Sequence, residues 1–201
     1  MKTLIALFSN TWDALIQNDG FVDSESGSSC ARFIANRWEN LLSDIPETEV
    51  AIFHPSMANA GDFFPAHYRR FIQVGHFLED RIRNVFELCF EKGYQQVLFM
   101  DSAAAFVSAK KIKNCVNHLE SHDLVFVPSD TGAVYIAGMK LNVFPVWDAY
   151  PFYQTESVVE LLSDCIRHNV SYSLEPVIQW KESVDQLWRE ATAPKPSRLK
   201  T

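Results

Sequence analysis

Short, continuous apolar runs alternate with longer segments whose apolar residues recur at helical spacing. Thr3-Leu-Ile-Ala-Leu-Phe8 is unbroken and apolar, the pattern of a buried parallel strand. A polar stretch follows from Ser9 to Ser29. From Cys30 to Asp44, Phe33, Ile34, Trp38, Leu41 and Leu42 predict a helix that Pro46 closes. Val50–Phe53 reads as a second strand ending at His54-Pro55. Ser56 to Gln73, rich in aromatics and without periodicity, reads as a loop or short helical turns. Leu78, Ile82, Val85, Phe86 and Cys89 form a helical stripe capped by Gly93. Further strands are expected at Gln96–Met100, Leu124–Val127, Ala133–Met139 and Ser171–Leu174. Further helices are expected at Ser108–Glu120, around Val158, Leu161, Leu162 and Ile166, and at Glu182–Glu190.

No linker or internal repeat divides the chain. The alternation therefore predicts a single-domain, three-layer α/β/α sandwich over residues 1–193, with a mainly parallel, Rossmann-like sheet. The tail, 194–201, carries two prolines and three basic residues and is expected to be a disordered basic extension.

Charge and composition narrow the function class. The chain has 201 residues, 47% hydrophobic and 21% charged, as a globular core requires. Eighteen Lys+Arg against 25 Asp+Glu leave a net charge of -7. That sign argues against nucleic acid as a partner, which a basic face would bind. Any phosphate must be met by local groups, helix N-termini or a metal. Glycine is scarce: seven, where average usage would give about fourteen. No Gly-x-Gly-x-x-Gly, Walker loop or Gly-x-Ser-x-Gly elbow occurs. The four cysteines are widely spaced with no Cys-x-x-Cys pair. No apolar run is long enough for a membrane span, and the expected setting is the cytoplasm with reduced thiols.

In open α/β sheets ligands bind outside the carboxyl ends of the strands. That rule selects Ser9-Asn10, His54, Asp101-Ser102 and Ser129-Asp130. Asp101, directly after an apolar strand, suits a hard cation and through it a diphosphate; helix or turn capping is the structural alternative. Asp130, between Pro128 and Gly132, suits a turn on its own account. His118 and His122 have two-histidine metal spacing without the adjacent Glu of a zincin; solvated helix-end histidines are the alternative.

The order of motifs from about Gln73 to Leu187 resembles the bacterial glycosyltransferase A-like selenodomain-associated transferases, of the nucleotide-diphospho-sugar transferase superfamily. Gln73-Val-Gly75-His-Phe-Leu78-Glu-Asp-Arg81 is similar to that family's Gln-x-Gly-x-x-Leu-x-x-Arg stretch. Phe99-Met-Asp101-Ser-Ala103 stands at its Gly-x-Asp-x-Pro. Val127-Pro128-Ser-Asp-Thr131-Gly132-Ala-Val-Tyr135 stands at its Gly-Pro-Ala-x-Asp-Gly-Gly-Tyr-Tyr. Tyr150-Pro151-Phe152 and Trp180-Lys-Glu182 stand at its last two motifs. The resemblance implies a glycosyltransferase A-like fold and metal-dependent transfer from a nucleotide-sugar. Asp101 and Asp130 would be catalytic, and Asp101 with Glu182 would hold Mg²⁺ or Mn²⁺. Ser9, Asn10, Gln73, Arg81, Ser102, Gly132 and Tyr135 would line the substrate site.

Departures from the pattern point to a second reading. The family's Lys/Arg-rich first loop has no counterpart, since no Lys or Arg lies between Lys2 and Arg32. Thr131, Ala133, Ala103 and Trp180 replace an Asp, a Gly, a Pro and a carboxylate. The alternative is a catalytically silent member acting as a binding or scaffold protein.

Overall fold

The computed structural model describes residues 2–9, 24–43, 45, 47–55, 63–130, 134–143 and 165–179. It also describes isolated positions at 159, 162, 163, 182, 185, 186, 189 and 190. Seven strands form one sheet: β1 (Thr3–Phe8), β2 (Thr48–His54), β3 (Arg69–Ile72), β4 (Gln96–Asp101), β5 (Leu124–Pro128), β6 (Val134–Lys140) and β7 (Tyr172–Leu174). Three helices have defined limits: α1 (Ser24–Leu42), α2 (Leu78–Glu91) and α3 (Ala109–Ser121). The described positions at 159, 162–163 and 165–167, and those between 182 and 190, are also helical.

The strand order is β3-β2-β1-β4-β6-β5-β7. β6 runs antiparallel to both its neighbours, β4 and β5; every other pairing is parallel. β1 is buried along its whole length, which is why its sequence is continuously apolar rather than alternating. Its residues divide between two cores. Leu4, Ala6 and Phe8 pack with Phe53, Phe99 and α2 on one face. Ile5 and Leu7 pack with α1 and α3 on the other, around the fully buried Trp38. The three-layer sandwich follows from this division. Burial of each large side chain in these layers contributes roughly 1.5–3 kcal/mol.

Local signals set the helix ends. Ser108 caps α3 by accepting from the Lys111 amide at 3.2 Å. Gly93 follows α2 with φ of 85°, the conformation its position after the helix demands.

Two boundaries depart from expectation. α1 starts at Ser24 rather than Cys30, six residues into a Ser/Gly-rich stretch of low helix propensity. The segment expected to be loop or helical turns contains β3, parallel to β2 from Ala51↔Arg69 to His54↔Ile72. β3 is an edge strand with no fully buried position, so it has no apolar alternation to announce it. Arg70 ties it down by donating to the carbonyls of Tyr68 (2.7 Å) and Phe64 (2.9 Å).

Candidate functional site at the carboxyl edge

From β1 the chain builds outward through β2 and β3, then returns to place β4 on the other side of β1. β2 and β3 extend the sheet on one side of β1 and β4 lies on the other, so the carboxyl ends of β1 and β4 mark the switch in strand order where an α/β sheet accepts a ligand. Ser9 follows β1, His54 ends β2, Gln73 follows β3 and Asp101 ends β4. Phe8 pairs with Asp101 and Met100 with Ile136, so Tyr135, one residue beyond that last pair, stands level with Asp101.

One backbone carbonyl organises the first part of this edge. Phe53 O accepts from the Ser9 amide at 3.0 Å and from Gln73 Nε2 at 2.7 Å, which fills its two lone pairs. Ser9 Oγ lies 3.2 Å from the same oxygen and 3.2 Å from Nδ1 of the buried His54, where the hydroxyl has a better use. The Gln73 amide cannot flip, because its oxygen would face the Phe53 oxygen. Oε1 therefore points away, and it is buried with no hydrogen-bond partner. Ser102 Oγ, in the single 3-10 turn after β4, is likewise buried and without a partner. The Ser102 carbonyl accepts from Trp38 Nε1 at 2.9 Å, and the Ala105 carbonyl from Arg37 Nε. α1 thus fixes the loop after Asp101. Each buried, unsatisfied polar atom costs about 1–3 kcal/mol if nothing meets it.

The remaining expected residues fall in different places. Arg81 Nε donates to Gly75 O at 3.0 Å, so Arg81 holds the β3–α2 loop. Asp130 is exposed in the turn after β5, its amide bonded to Ile178 O at 3.0 Å. Tyr135 is half-buried on β6. Glu182 lines an open groove with Gln186, Arg189 and Glu190. Asn10 and Gly132, like Thr131, Ala133, Trp180 and the 194–201 tail, lie outside the described residues. Pattern reading overlooked Trp38, whose helical spacing marked it only as core; its hydrogen bond crosses 64 positions and leaves no local signal.

Among the described residues no group of three or more His, Cys, Asp or Glu could hold a metal ion. Asp101 alone does not make a cage for a resident cation. One carboxylate does match the way Mg²⁺ binds when water and substrate phosphates fill the rest of its shell. His118 and His122 do not form a two-histidine site. His118 Nε2 faces the buried Glu175 carboxylate at 3.2 Å, and His122 Nδ1 lies 3.0 Å from Ser121 Oγ. A cavity of ≈ 360 Å³ opens at the opposite, amino end of the strands. Its polar floor, Thr3 and Gln96, is satisfied internally: Thr3 donates to Gln96 Oε1 at 2.8 Å and Gln96 Nε2 to Leu119 O at 2.6 Å. The unmet polar atoms are at the carboxyl edge, which is the better candidate.

A bacterial family described as "Uncharacterized protein conserved in bacteria (DUF2064)" matches residues 42–153, more than half of the chain and the span that builds this edge from β2 to β6. The chain belongs to the DUF2064 family. No curated protein sequence matches it. Solved structures match the DUF2064 fold closely despite low identity. A protein from Desulfovibrio desulfuricans G20, provisionally assigned as a nucleotide-diphospho-sugar transferase, superposes with a TM-score of 0.73 at 15% identity, over 97% of this chain and 90% of that one. CMP:2-keto-3-deoxy-manno-octonic acid synthetase complexed with CTP gives 0.55 at 7% identity, over 94% and 100%. Rv0371c of Mycobacterium tuberculosis H37Rv, in complex with manganese, gives 0.56 at 8%, over 92% and 96%. At these identities the superpositions show a shared α/β fold. No helix among the described residues is long and apolar enough to cross a membrane.

Proposed function

We propose that this DUF2064 chain binds a nucleotide-activated sugar at the carboxyl edge of β1, β2 and β4 and transfers from it, as the selenodomain-associated transferases it resembles are expected to do. The carrying observation is the pair of buried polar atoms without partners, Gln73 Oε1 and Ser102 Oγ, on either side of the switch point. Gln73 Oε1 can only accept, so it meets an N–H or O–H of the ligand. Asp101 is the carboxylate assigned to Mg²⁺ or Mn²⁺ carried on the donor diphosphate, with Glu182 as the second. When bound, such an ion neutralises charge developing on the leaving phosphate. Asp130, Tyr135 and Ser9 complete the assigned edge, and Asn10 and Gly132 are assigned to it from sequence; Arg81 acts through Gly75 rather than on the ligand. A neighbour named as a nucleotide-diphospho-sugar transferase, a synthetase bound to CTP and a protein bound to manganese support the reading by analogy of fold.

A second reading, a binding protein that has lost transfer, rests on the first loop. Asp13, Asp19 and Asp23 stand there with no cation between Lys2 and Arg32. One panel separates the two. UDP-, GDP- and CDP-linked sugars are tested for their effect on melting temperature with and without Mn²⁺, and donor consumption is followed in parallel. At a hundred times Kd, binding adds about 2.7 kcal/mol, a rise of roughly 5–10 °C. Asp101→Ala removes that rise if the assignment is right. No rise with any donor, with or without metal, refutes the transferase reading and favours the second.

A further inference from the structure

The loop between β3 and α2 presents apolar side chains to solvent from an unusually fixed backbone. Val74 is 65% exposed, Phe77 71% and Leu78 41%. They are consecutive or nearly so and form one patch. The backbone beneath them is pinned at three points. Gln73 Nε2 donates to Phe53 O, Asn84 Nδ2 to Val74 O at 2.8 Å, and Arg81 Nε to Gly75 O at 3.0 Å.

Phe77 occupies the N-cap of α2, where Ser, Thr, Asp or Asn would satisfy the first helical amides. Its side chain supplies no such bond and is exposed. Beside it, between β2, β3 and α2, lies a pocket of ≈ 370 Å³. Apolar walls including Ile72, Val74 and Leu88 lead to a rim of Asn84, Glu87 and Glu91. The pocket is lined by two carboxylates and no cation. The nearby Lys92 ammonium instead stands over the Phe71 ring at 5.2 Å.

We infer that this face docks a partner protein through a basic, apolar segment: one bulky apolar side chain enters the pocket, and flanking Lys or Arg residues meet Glu87 and Glu91. A second copy of this chain is the poorer occupant. A two-fold contact would bring the acidic linings of both copies to one interface, on a chain of net charge -7. Charge complementarity selects a basic partner. The inference stands apart from the nucleotide reading, because none of the ligand-binding groups assigned above lines this pocket.

The test uses the full chain and two synthetic amphipathic peptides of identical pattern, one of Leu and Lys and one of Leu and Glu. Amide NMR shifts map binding; titration gives affinity. The Leu/Lys peptide should perturb residues 72–91 selectively. Phe77→Ser and the double variant Glu87→Gln/Glu91→Gln should each weaken it at least tenfold, while Val177→Ser, at an exposed apolar position after β7 on the opposite edge of the sheet, should not. Ser is a favourable N-cap, so Phe77→Ser should melt no lower than wild type, which separates lost binding from lost fold. Equal binding of the Leu/Glu peptide, or perturbation spread over the whole acidic surface, overturns the inference. So does a concentration-dependent dimer that Phe77→Ser dissolves, since the occupant is then a second copy.

Discussion

Gly75→Ala tests whether the Gln73-x-Gly75…Arg81 motif is a structural clamp. Gly75 has φ of +133°, a conformation close to glycine-only. An added Cβ would stand 2.7 Å from Asp80 Cβ and 2.9 Å from the Arg81 backbone nitrogen. The second contact is with helix backbone, so no rotamer change relieves it. Strain of this kind costs about 1–3 kcal/mol. Lifting the loop off α2 also sacrifices the Arg81–Gly75 and Asn84–Val74 hydrogen bonds, each worth roughly 0.5–1.5 kcal/mol. The loop will relax along whichever route is cheaper, so a total near 3 kcal/mol is expected. For a domain of this size that lowers Tm by about 6–12 °C. Calorimetry gives the number, and Asp80→Gly provides the control. Removing the Asp80 Cβ deletes the nearest clash and leaves the one with Arg81 N, so the double variant should recover less than half the loss. A Gly75→Ala chain that melts within about 2 °C of wild type refutes the clamp. The motif would then have to act on a ligand.

Two further predictions concern groups away from the site. Burial pushes the Cys89 and Cys115 thiols up to about 12, from 9.0. At pH 8 their thiolate fraction falls about a thousandfold, so in a Cys30→Ser/Cys165→Ser background a thiol reagent should label the native chain about 10³ times more slowly than the unfolded one; comparable rates would refute the burial argument. Tyr94→Phe removes the 2.6 Å hydrogen bond that does most to hold the Glu49 carboxyl below its ordinary value. Glu49 stabilises the fold above about pH 4.5, and that contribution is lost as pH falls through its lowered folded value; without Tyr94, acid unfolding should begin at higher pH. The alkaline limb has the opposite sign. Desolvation, then the bond to Glu49, raises the Tyr94 phenol to about 12, so wild type loses stability between pH 10 and 12 and the variant does not. Melts across both limbs check it, and parallel curves would refute it.

The parts of the fold that could be read from sequence are those whose burial is decided by their own residues. β1, β4 and β5 are apolar because both faces are covered, and α2 and α3 carry stripes because one face is. β3 could not be read, because a four-residue edge strand beginning Arg69-Arg70 has no apolar alternation, and Arg70 bonds to carbonyls of the segment just before it. The antiparallel direction of β6 has no signature in a buried strand. At the candidate site the strand-end rule located Ser9, His54 and Asp101, since it depends only on where apolar runs stop. The pairing of His118 with Glu175 was invisible: the partner lies on another element, and helical spacing suggested His122 instead. Gln73 and Arg81 were recognisable as a motif, but only the geometry separates a buried oxygen without a partner on one from a loop clamp on the other.

That separation bears on what the site recognises. A diphosphate is usually held by cations or by glycine-rich backbone, and the sequence offers neither near β1: the first loop is acidic and seven glycines serve the whole chain. The described edge instead offers neutral acceptors and hydroxyls, namely Gln73 Oε1, Ser9 Oγ and Ser102 Oγ, with the carboxylates of Asp101 and Asp130. Such groups discriminate by hydrogen bonding. A buried acceptor left unmet penalises any ligand lacking the matching N–H or O–H by more than the bond itself contributes. Under the proposed function, selectivity therefore rests on the hydroxyl- and amide-bearing ends of the nucleotide-sugar, and the phosphates depend on the accompanying ion. Donors differing in base or sugar should then differ in affinity far more than donors differing in phosphate number.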